Sequence, residues 1–119
     1  MKVAVIGASN KPHRYSYQAV MLLKEKGHEV YPVHRKIKEI DGIAVNPGIE
    51  NIKDSIDTVT LYVNAAISNA IGKDILAKKP RRIIFNPGAE NPELENKARE
   101  EGIVTTNSCT LVMLKTGQF

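Results

Sequence analysis

The order of apolar and polar residues divides the chain into short apolar runs separated by segments of helical periodicity. Five runs have the length and β-branched composition typical of strands: residues 3–7, 29–33, 58–63, 82–85 and 103–106. The first run, VAVIG, is uninterrupted and ends in glycine, as expected of a central parallel strand that is buried on both faces.

Helical spacing predicts three main helices between these runs. The first spans residues 15–26 and ends at Gly27, where a left-handed cap is favoured. The second spans residues 65–77, and the third begins at Asn91, a capping residue followed by proline. The faces expected to be buried comprise Tyr15, Ala19, Leu22 and Leu23 in the first helix and Ile67, Ala70, Ile71 and Ile75 in the second.

The segment 36–57 is the least regular part of the chain. It predicts a short extended piece followed by a short helix around residues 49–55, in place of a full crossover helix. A brief helix around residues 111–114 ends the sequence. Strands that alternate with helices indicate an α/β fold: a single Rossmann-like three-layer domain, residues 1–119, with a mostly parallel five-stranded sheet.

Composition narrows the classes of partner. Lysine and arginine exceed the acids by 17 to 13, and the resulting net charge of +4 suits a phosphorylated cofactor as well as RNA. Aromatic residues reach 5% and tryptophan is absent, so a platform for stacking single-stranded nucleic acid is not favoured.

Targeting, membrane and metal signals are absent from the sequence. Met1 leads directly into an apolar strand, and no segment approaches the roughly 18 apolar residues of a membrane span. We therefore expect a cytoplasmic protein. The single cysteine, Cys109, excludes an internal disulfide and a structural zinc site, and no P-loop or metal-ligand spacing occurs.

Parallel α/β sheets bind ligands beyond the carboxyl ends of their strands. Four segments are expected to meet at that edge: residues 7–15, 34–38, 64–68 and 86–91. They are rich in Gly, Asn, Ser, Lys and Arg, and two of them lead into helix N-termini, whose N–H groups favour a phosphate.

The first of these loops, GASNKPHRY, occupies the position of a dinucleotide-binding turn but lacks the G-x-G-x-x-G spacing. Ser9, Lys11 and Arg14 supply a hydroxyl group and two cations instead. The alternative is a glycine turn with solvated cations.

The residues after the second strand favour a phosphorylated ribose. NAD-binding proteins place an acid at this position, whereas here His34, Arg35 and Lys36 precede the first acid, Glu39. Cations at this position suit the 2′-phosphate of NADP or the 3′-phosphate of coenzyme A (CoA). A basic loop without a ligand is the alternative.

With these segments in view, the chain resembles the small CoA-binding proteins related to the N-terminal domain of the succinyl-CoA synthetase α subunit. The matching stretches span nearly the whole chain: VIGASNKP (5–12), GHEVYPV (27–33), EIDG (39–42), LYVN (61–64), IIFNPGAEN (83–91) and CTLVML (109–114). The family often has Asn-Pro-Lys where this chain has His34, Arg35 and Lys36, so only the lysine matches there.

The resemblance implies that Ser9, Lys11 and Arg14 hold the phosphates of CoA and that residues 33–36 flank its adenosine end. Val63 and Asn64 would lie along the nucleotide and pantetheine. The full set of candidate binding residues is Gly7, Ala8, Ser9, Lys11, Arg14, Tyr15, Val33, His34, Arg35, Lys36, Val63, Asn64 and Gly88.

No catalytic residue is predicted, because no histidine has a recognisable carboxylate partner. Glu90 is expected to stabilise the turn in which it lies. Cys109 is interpreted either as a small buried side chain or as a thiol that faces CoA and forms a mixed disulfide under oxidation.

The sequence therefore favours a stand-alone module that binds CoA or acyl-CoA as a carrier, sensor or regulatory subunit. An NADP-binding oxidoreductase-like fragment and a nucleic-acid or protein interaction domain that uses the basic edge remain alternatives. A homodimer is also possible, in which the apolar segment 111–114 covers a neighbour.

Overall fold

A computed structural model describes all 119 residues of the chain, and its strands and helices follow the predicted alternation. The strands are β1 (Lys2–Ile6), β2 (Glu29–Val33), β3 (Glu39–Ile40), β4 (Ile43–Ala44), β5 (Thr58–Leu61), β6 (Arg82–Phe85) and β7 (Val104–Asn107). The helices are α1 (Tyr15–Glu25), α2 (Ala65–Ala70), α3 (Gly72–Ala77), α4 (Pro92–Glu100) and α5 (Thr110–Lys115), with a single 3₁₀ turn at Ile49–Asn51.

The main sheet confirms the predicted fold class. Its five strands have the order β2-β1-β5-β6-β7, and every pairing is parallel. The chain leaves β1 towards β2 on one side and later returns to β5 on the other side of β1. The strand order therefore reverses beside β1, which is where an open α/β sheet forms a crevice.

The sheet separates two hydrophobic clusters, as in a three-layer domain. Alternate residues of β1 contribute to opposite faces, with Ala4 and Ile6 in one cluster and Val3 and Val5 in the other. Residues of α3, α4 and the 3₁₀ turn complete the first cluster, and residues of α1, α5 and the β3–β4 hairpin complete the second. Burial on both faces explains why β1 is uniformly apolar.

The segment after β2 differs from its prediction. β3 and β4 pair as an antiparallel hairpin, and its two-residue turn places Asp41 at φ 46° and Gly42 at φ 82°. Positive φ at both turn residues is typical of the Asp-Gly turns that join short hairpins. The predicted helix around residues 49–55 is wrong, since only the 3₁₀ turn forms there.

The predicted helix 65–77 is divided into α2 and α3, which meet at Ile71. Its predicted face is partly wrong, because Ile67 is 49% exposed while Ser68 is buried. The amide of Asn91 explains this burial, since its Nδ2 donates to Ser68 Oγ at 2.7 Å. In α1 the outcome is similar: Tyr15 is 68% exposed, and the buried residues are Ser16, Ala19, Val20 and Leu23.

The C-terminal apolar segment packs mainly within its own domain. Leu111 and Leu114 are buried, and Val112 is the exposed member. The homodimer stays a prediction. None of the helices combines the length and the apolar composition that crossing a bilayer requires.

A buried polar network joins the ends of β5 and β6 to the start of α5. Asn86 Nδ2 donates to Thr60 Oγ1 at 2.7 Å and to the carbonyl oxygen of Leu61 at 2.9 Å. Asn86 Oδ1 accepts from the backbone N–H of Thr110 at 2.8 Å. The side chains of Thr60, Asn86 and Thr110 are all buried, so these bonds fix α5 against the sheet.

Asn86→Ala is therefore expected to destabilise the protein by about 2–4 kcal/mol, because it leaves several buried polar groups unpaired. Urea denaturation measures this loss in the free energy of unfolding. Asn96→Ala, on the exposed face of α4, is the control and should change it by less than about 0.5 kcal/mol. Similar losses for the two variants would show that the network does not hold the fold.

Candidate ligand-binding site

Two adjoining clefts lie at the carboxyl edge of the sheet, where its strand order reverses. The first has a volume of about 830 Å³ and the second of about 650 Å³. Gly7, His34, Val63 and Ile67 line both clefts, so the two form one continuous groove. A groove of this size and position is typical of cofactor sites.

The groove brings together twelve of the thirteen candidate residues. The first cleft is lined by Gly7, Ala8, Ser9, Lys11, Arg14, Tyr15, His34, Val63 and Asn64. The second is lined by Gly7, Val33, His34, Arg35, Lys36 and Val63. Gly88 lines neither cleft.

The loop after β1 is held between the ends of two other strands. The backbone N–H groups of Gly7 and Ala8 both donate to the carbonyl oxygen of Val33, at 3.1 and 3.2 Å. On the other side, a Cβ atom at Gly7 would lie 2.8 Å from Val63 Cγ1. Only glycine permits this approach, and its φ of 85° is also in the left-handed region.

Helix α1 begins at the first cleft without a side-chain cap. Its N-cap residue is Arg14, whose side chain cannot accept a hydrogen bond, and the N–H groups of Tyr15, Ser16 and Tyr17 donate to no protein acceptor. A cation at this end opposes the helix dipole. An anion bound in the first cleft would satisfy the N–H groups and the arginine together.

His34 shapes the turn that follows β2. Its Nδ1 accepts from the backbone N–H groups of Lys36 and Ile37, at 3.0 and 3.2 Å. An asparagine side-chain oxygen makes the same kind of turn bond. The turn places Arg35 and Lys36 on the wall of the second cleft.

The groove has a strong excess of positive charge. Its walls include four cations: Lys11, Arg14, Arg35 and Lys36. None of them forms a salt bridge, and the only ion pair in the chain joins Arg99 to Glu95 on α4. One carboxylate, that of Glu50, lines the groove. Unpaired cations on concave walls attract phosphates strongly.

Tyr62 separates the first cleft from the Asn86 network. Its hydroxyl is buried near the hydroxyls of Thr110 and Thr60 but forms no hydrogen bond of ordinary geometry with either. Burial raises the pKa of Tyr62 to about 12, and the Thr110 hydroxyl partly offsets this effect. The phenol is therefore neutral near pH 7 and offers no proton acceptor.

The loop 86–91 has a structural role at the same edge. Asn86 and Asn91 are buried in hydrogen-bond networks, and Glu90 Oε1 accepts from the N–H of Gly88 at 2.9 Å, so Glu90 stabilises its turn as expected. Cys109 precedes α5, is partly exposed and lines neither cleft. The two interpretations of Cys109, a small buried side chain or a thiol that faces CoA, stay predictions.

The sequence of residues 1–115 matches the family of CoA binding domains. The chain belongs to this family. The family match confirms the resemblance to CoA-binding proteins that the sequence motifs indicate.

Two relatives of this CoA binding domain are ADP-forming acetate–CoA ligases. The α subunit of acetate–CoA ligase II from Pyrococcus furiosus is 36% identical over 62 residues, which are 51% of this chain and 14% of the ligase subunit. The acetate–CoA ligase from Methanocaldococcus jannaschii is 29% identical over 102 residues, which are 82% of this chain and 14% of the ligase. The chain thus spans a small part of each ligase.

The same fold also occurs in a chain of similar length. The crystal structure of an uncharacterized protein superposes on this CoA binding domain with a TM-score of 0.89 at 43% identity. The match covers 99% of this chain and 97% of the other.

Several residues that line the groove lie outside the segments predicted to meet at this edge and were missed by the sequence analysis. They are Ile6, Ser16, Pro47, Gly48, Ile49, Glu50, Tyr62, Ala70 and Ile71. Residues 47–50 reach the second cleft because the hairpin returns the chain to β2, where Asn46 N–H donates to the carbonyl oxygen of Pro32 at 2.9 Å. The Asp-Gly pair was the available signal for that return.

Gly7→Ala is expected to destabilise this CoA binding domain more than Gly27→Ala does. Both glycines have a positive φ, 85° and 88°, but a Cβ atom at Gly27 meets nothing within 4 Å. We expect a loss of about 1 kcal/mol in the free energy of unfolding for Gly27→Ala and about 2–3 kcal/mol for Gly7→Ala. Equal losses in urea denaturation would contradict the close contact between the loop and β5.

Proposed function

We propose that this chain binds CoA or acyl-CoA in the groove and acts as a carrier, sensor or regulatory module. The observation that supports this most is the uncapped start of α1, where Arg14, Tyr15 and Ser16 line the first cleft and the first N–H groups of the helix have no protein acceptor. Together with membership of the CoA binding domain family, it favours a ligand with a pyrophosphate.

The two clefts suit different parts of such a ligand. In this proposal the pyrophosphate lies in the first cleft, against Ser9, Lys11 and Arg14. The adenosine end lies in the second cleft, with its 3′-phosphate towards Arg35 and Lys36. Pantetheine extends past Val63 and Asn64.

No reaction is assigned to the chain. The phenol of Tyr62 is neutral, and none of the three histidines is hydrogen-bonded to a carboxylate. The ligase reaction is a property of relatives of which this chain covers 14%. A cytoplasmic location remains a prediction from the sequence.

NADP is the second candidate ligand, because Arg35 and Lys36 suit its 2′-phosphate as well as the 3′-phosphate of CoA. The two ligands differ beyond the pyrophosphate, where NADP has a nicotinamide ribose in place of pantetheine.

Calorimetric titration with CoA, dephospho-CoA, NADP and NAD in parallel tests the proposal. We expect CoA to bind most tightly and dephospho-CoA more weakly, because dephospho-CoA lacks the phosphate that the cations would bind. A clear preference for NADP would reverse the assignment. Equal affinity for CoA and dephospho-CoA would show that the 3′-phosphate is not recognised.

Arg14→Ala and Lys36→Ala are each expected to weaken CoA binding by about 1–2 kcal/mol, the scale of a charged hydrogen bond. Lys36→Ala should also reduce the difference between CoA and dephospho-CoA, whereas Arg14→Ala should leave that difference intact. Lys97→Ala, on the exposed surface of α4, is the control for net charge. The same loss in all three variants would indicate general electrostatic attraction and no defined site.

A further inference from the structure

Glu50 is the only acidic residue that lines either cleft. It belongs to the 3₁₀ turn Ile49–Asn51, and its side chain makes no salt bridge, although Arg35 and Lys36 line the same cleft. A carboxylate repels phosphate. This part of the wall therefore suits a neutral group that donates hydrogen bonds.

The carboxylate of Glu50 is folded back over Gly48. A Cβ atom on Gly48 would lie 2.6 Å from Glu50 Cδ, which is closer than real side chains approach. The backbone of Gly48 is extended, with φ −152° and ψ 159°, a conformation open to other residues. A side chain at this position would therefore displace the carboxylate of Glu50 without straining the backbone.

The other walls of the second cleft suit a flat aromatic base. They are formed largely by Val33, Ile49, Val63, Ala66, Ala70 and Ile71. Glu50 is exposed on the wall of this cleft, so a base that donates to its carboxylate replaces bound water, whereas a base that presents only acceptors removes that water without replacing its hydrogen bond.

Adenine carries a neutral hydrogen-bond donor of the kind that the Glu50 carboxylate suits. Its exocyclic amine donates hydrogen bonds on the N7 side, whereas hypoxanthine and guanine present only the acceptors O6 and N7 along that edge, which a carboxylate repels. A carboxylate against the N7 edge of the ring therefore distinguishes the bases.

We propose that Glu50, held over Gly48, accepts a hydrogen bond from the exocyclic amine of adenine and so selects adenosine ligands over inosine and guanosine ligands. This inference rests on the proposed function, since it requires the adenosine end of the ligand to lie in the second cleft.

The test uses adenosine 3′,5′-diphosphate and inosine 3′,5′-diphosphate as probes, titrated calorimetrically into the full chain with CoA as the reference. The wild-type protein should prefer the adenosine probe by about tenfold, the effect of one charged hydrogen bond. In Glu50→Ala the preference should nearly disappear.

Two matched variants separate position from charge. Gly48→Ala keeps the carboxylate but displaces it, so the preference for adenosine should also fall. Glu39→Ala removes a carboxylate from β3, which lines neither cleft, and should keep the wild-type preference.

Equal binding of the two probes by the wild-type protein would overturn the inference, as would an unchanged preference in Glu50→Ala. An unchanged preference in Gly48→Ala would contradict the position assigned to the carboxylate. If Glu50→Ala altered only the discrimination against 2′-deoxyadenosine 3′,5′-diphosphate, the carboxylate would bind the ribose and the inference would be wrong.

These outcomes are distinct from failure of the proposed function. If CoA itself did not bind, the proposed function would fail, and the inference with it. If CoA bound but neither probe did, or if both bound without regard to the base, only the inference about Glu50 would fail.

Discussion

Gly7 lies so close to the end of β5 that no side chain fits between them, and its N–H group is bonded to the end of β2. The loop that follows β1 is consequently held between these two strands, at the place where the strand order reverses. This loop directs the first turn of α1 towards the groove. Ser9, Lys11 and Arg14 follow Gly7 and Ala8, whose N–H groups both donate to Val33, so their positions depend on this anchored turn.

Much of the fold was predictable because its central strands are buried on both faces. β1, β5 and β6 are almost entirely buried, and the edge strand β2 forms within its predicted bounds. The start of α4 was also predictable, since Asn91 and Pro92 act locally: Asn91 Oδ1 accepts from the N–H of Leu94 at 3.1 Å. The elements that failed depend on tertiary contacts. The break between α2 and α3 lies beside Gly72, where a Cβ atom would come within 3.2 Å of Leu94 Cδ1, a contact that local periodicity does not reveal.

The residues of the candidate site also divide into those set by local sequence and those set by tertiary contacts. Residues that directly follow β1, β2 and β5 were predictable, because parallel strands bring their carboxyl ends to one edge. Glu50 was missed, since it reaches the groove through a hairpin of two-residue strands whose signal in the sequence was the Asp-Gly turn. Gly88 was a candidate because it follows β6 at the same edge of the sheet. It nevertheless lies outside the groove, because Asn86 and Asn91 hold its loop in buried networks. The order of the parallel strands predicts which loops lie at this edge of the sheet, and the packing of each loop decides whether it faces a ligand.

The proposed groove distinguishes CoA from other phosphorylated adenine ligands. Native mass spectrometry of the purified chain, incubated with an equimolar mixture of CoA, NADP and NAD, measures this preference in one experiment. We expect a one-to-one complex whose added mass is that of CoA. A complex with either dinucleotide in place of CoA, or unliganded protein alone, would contradict it.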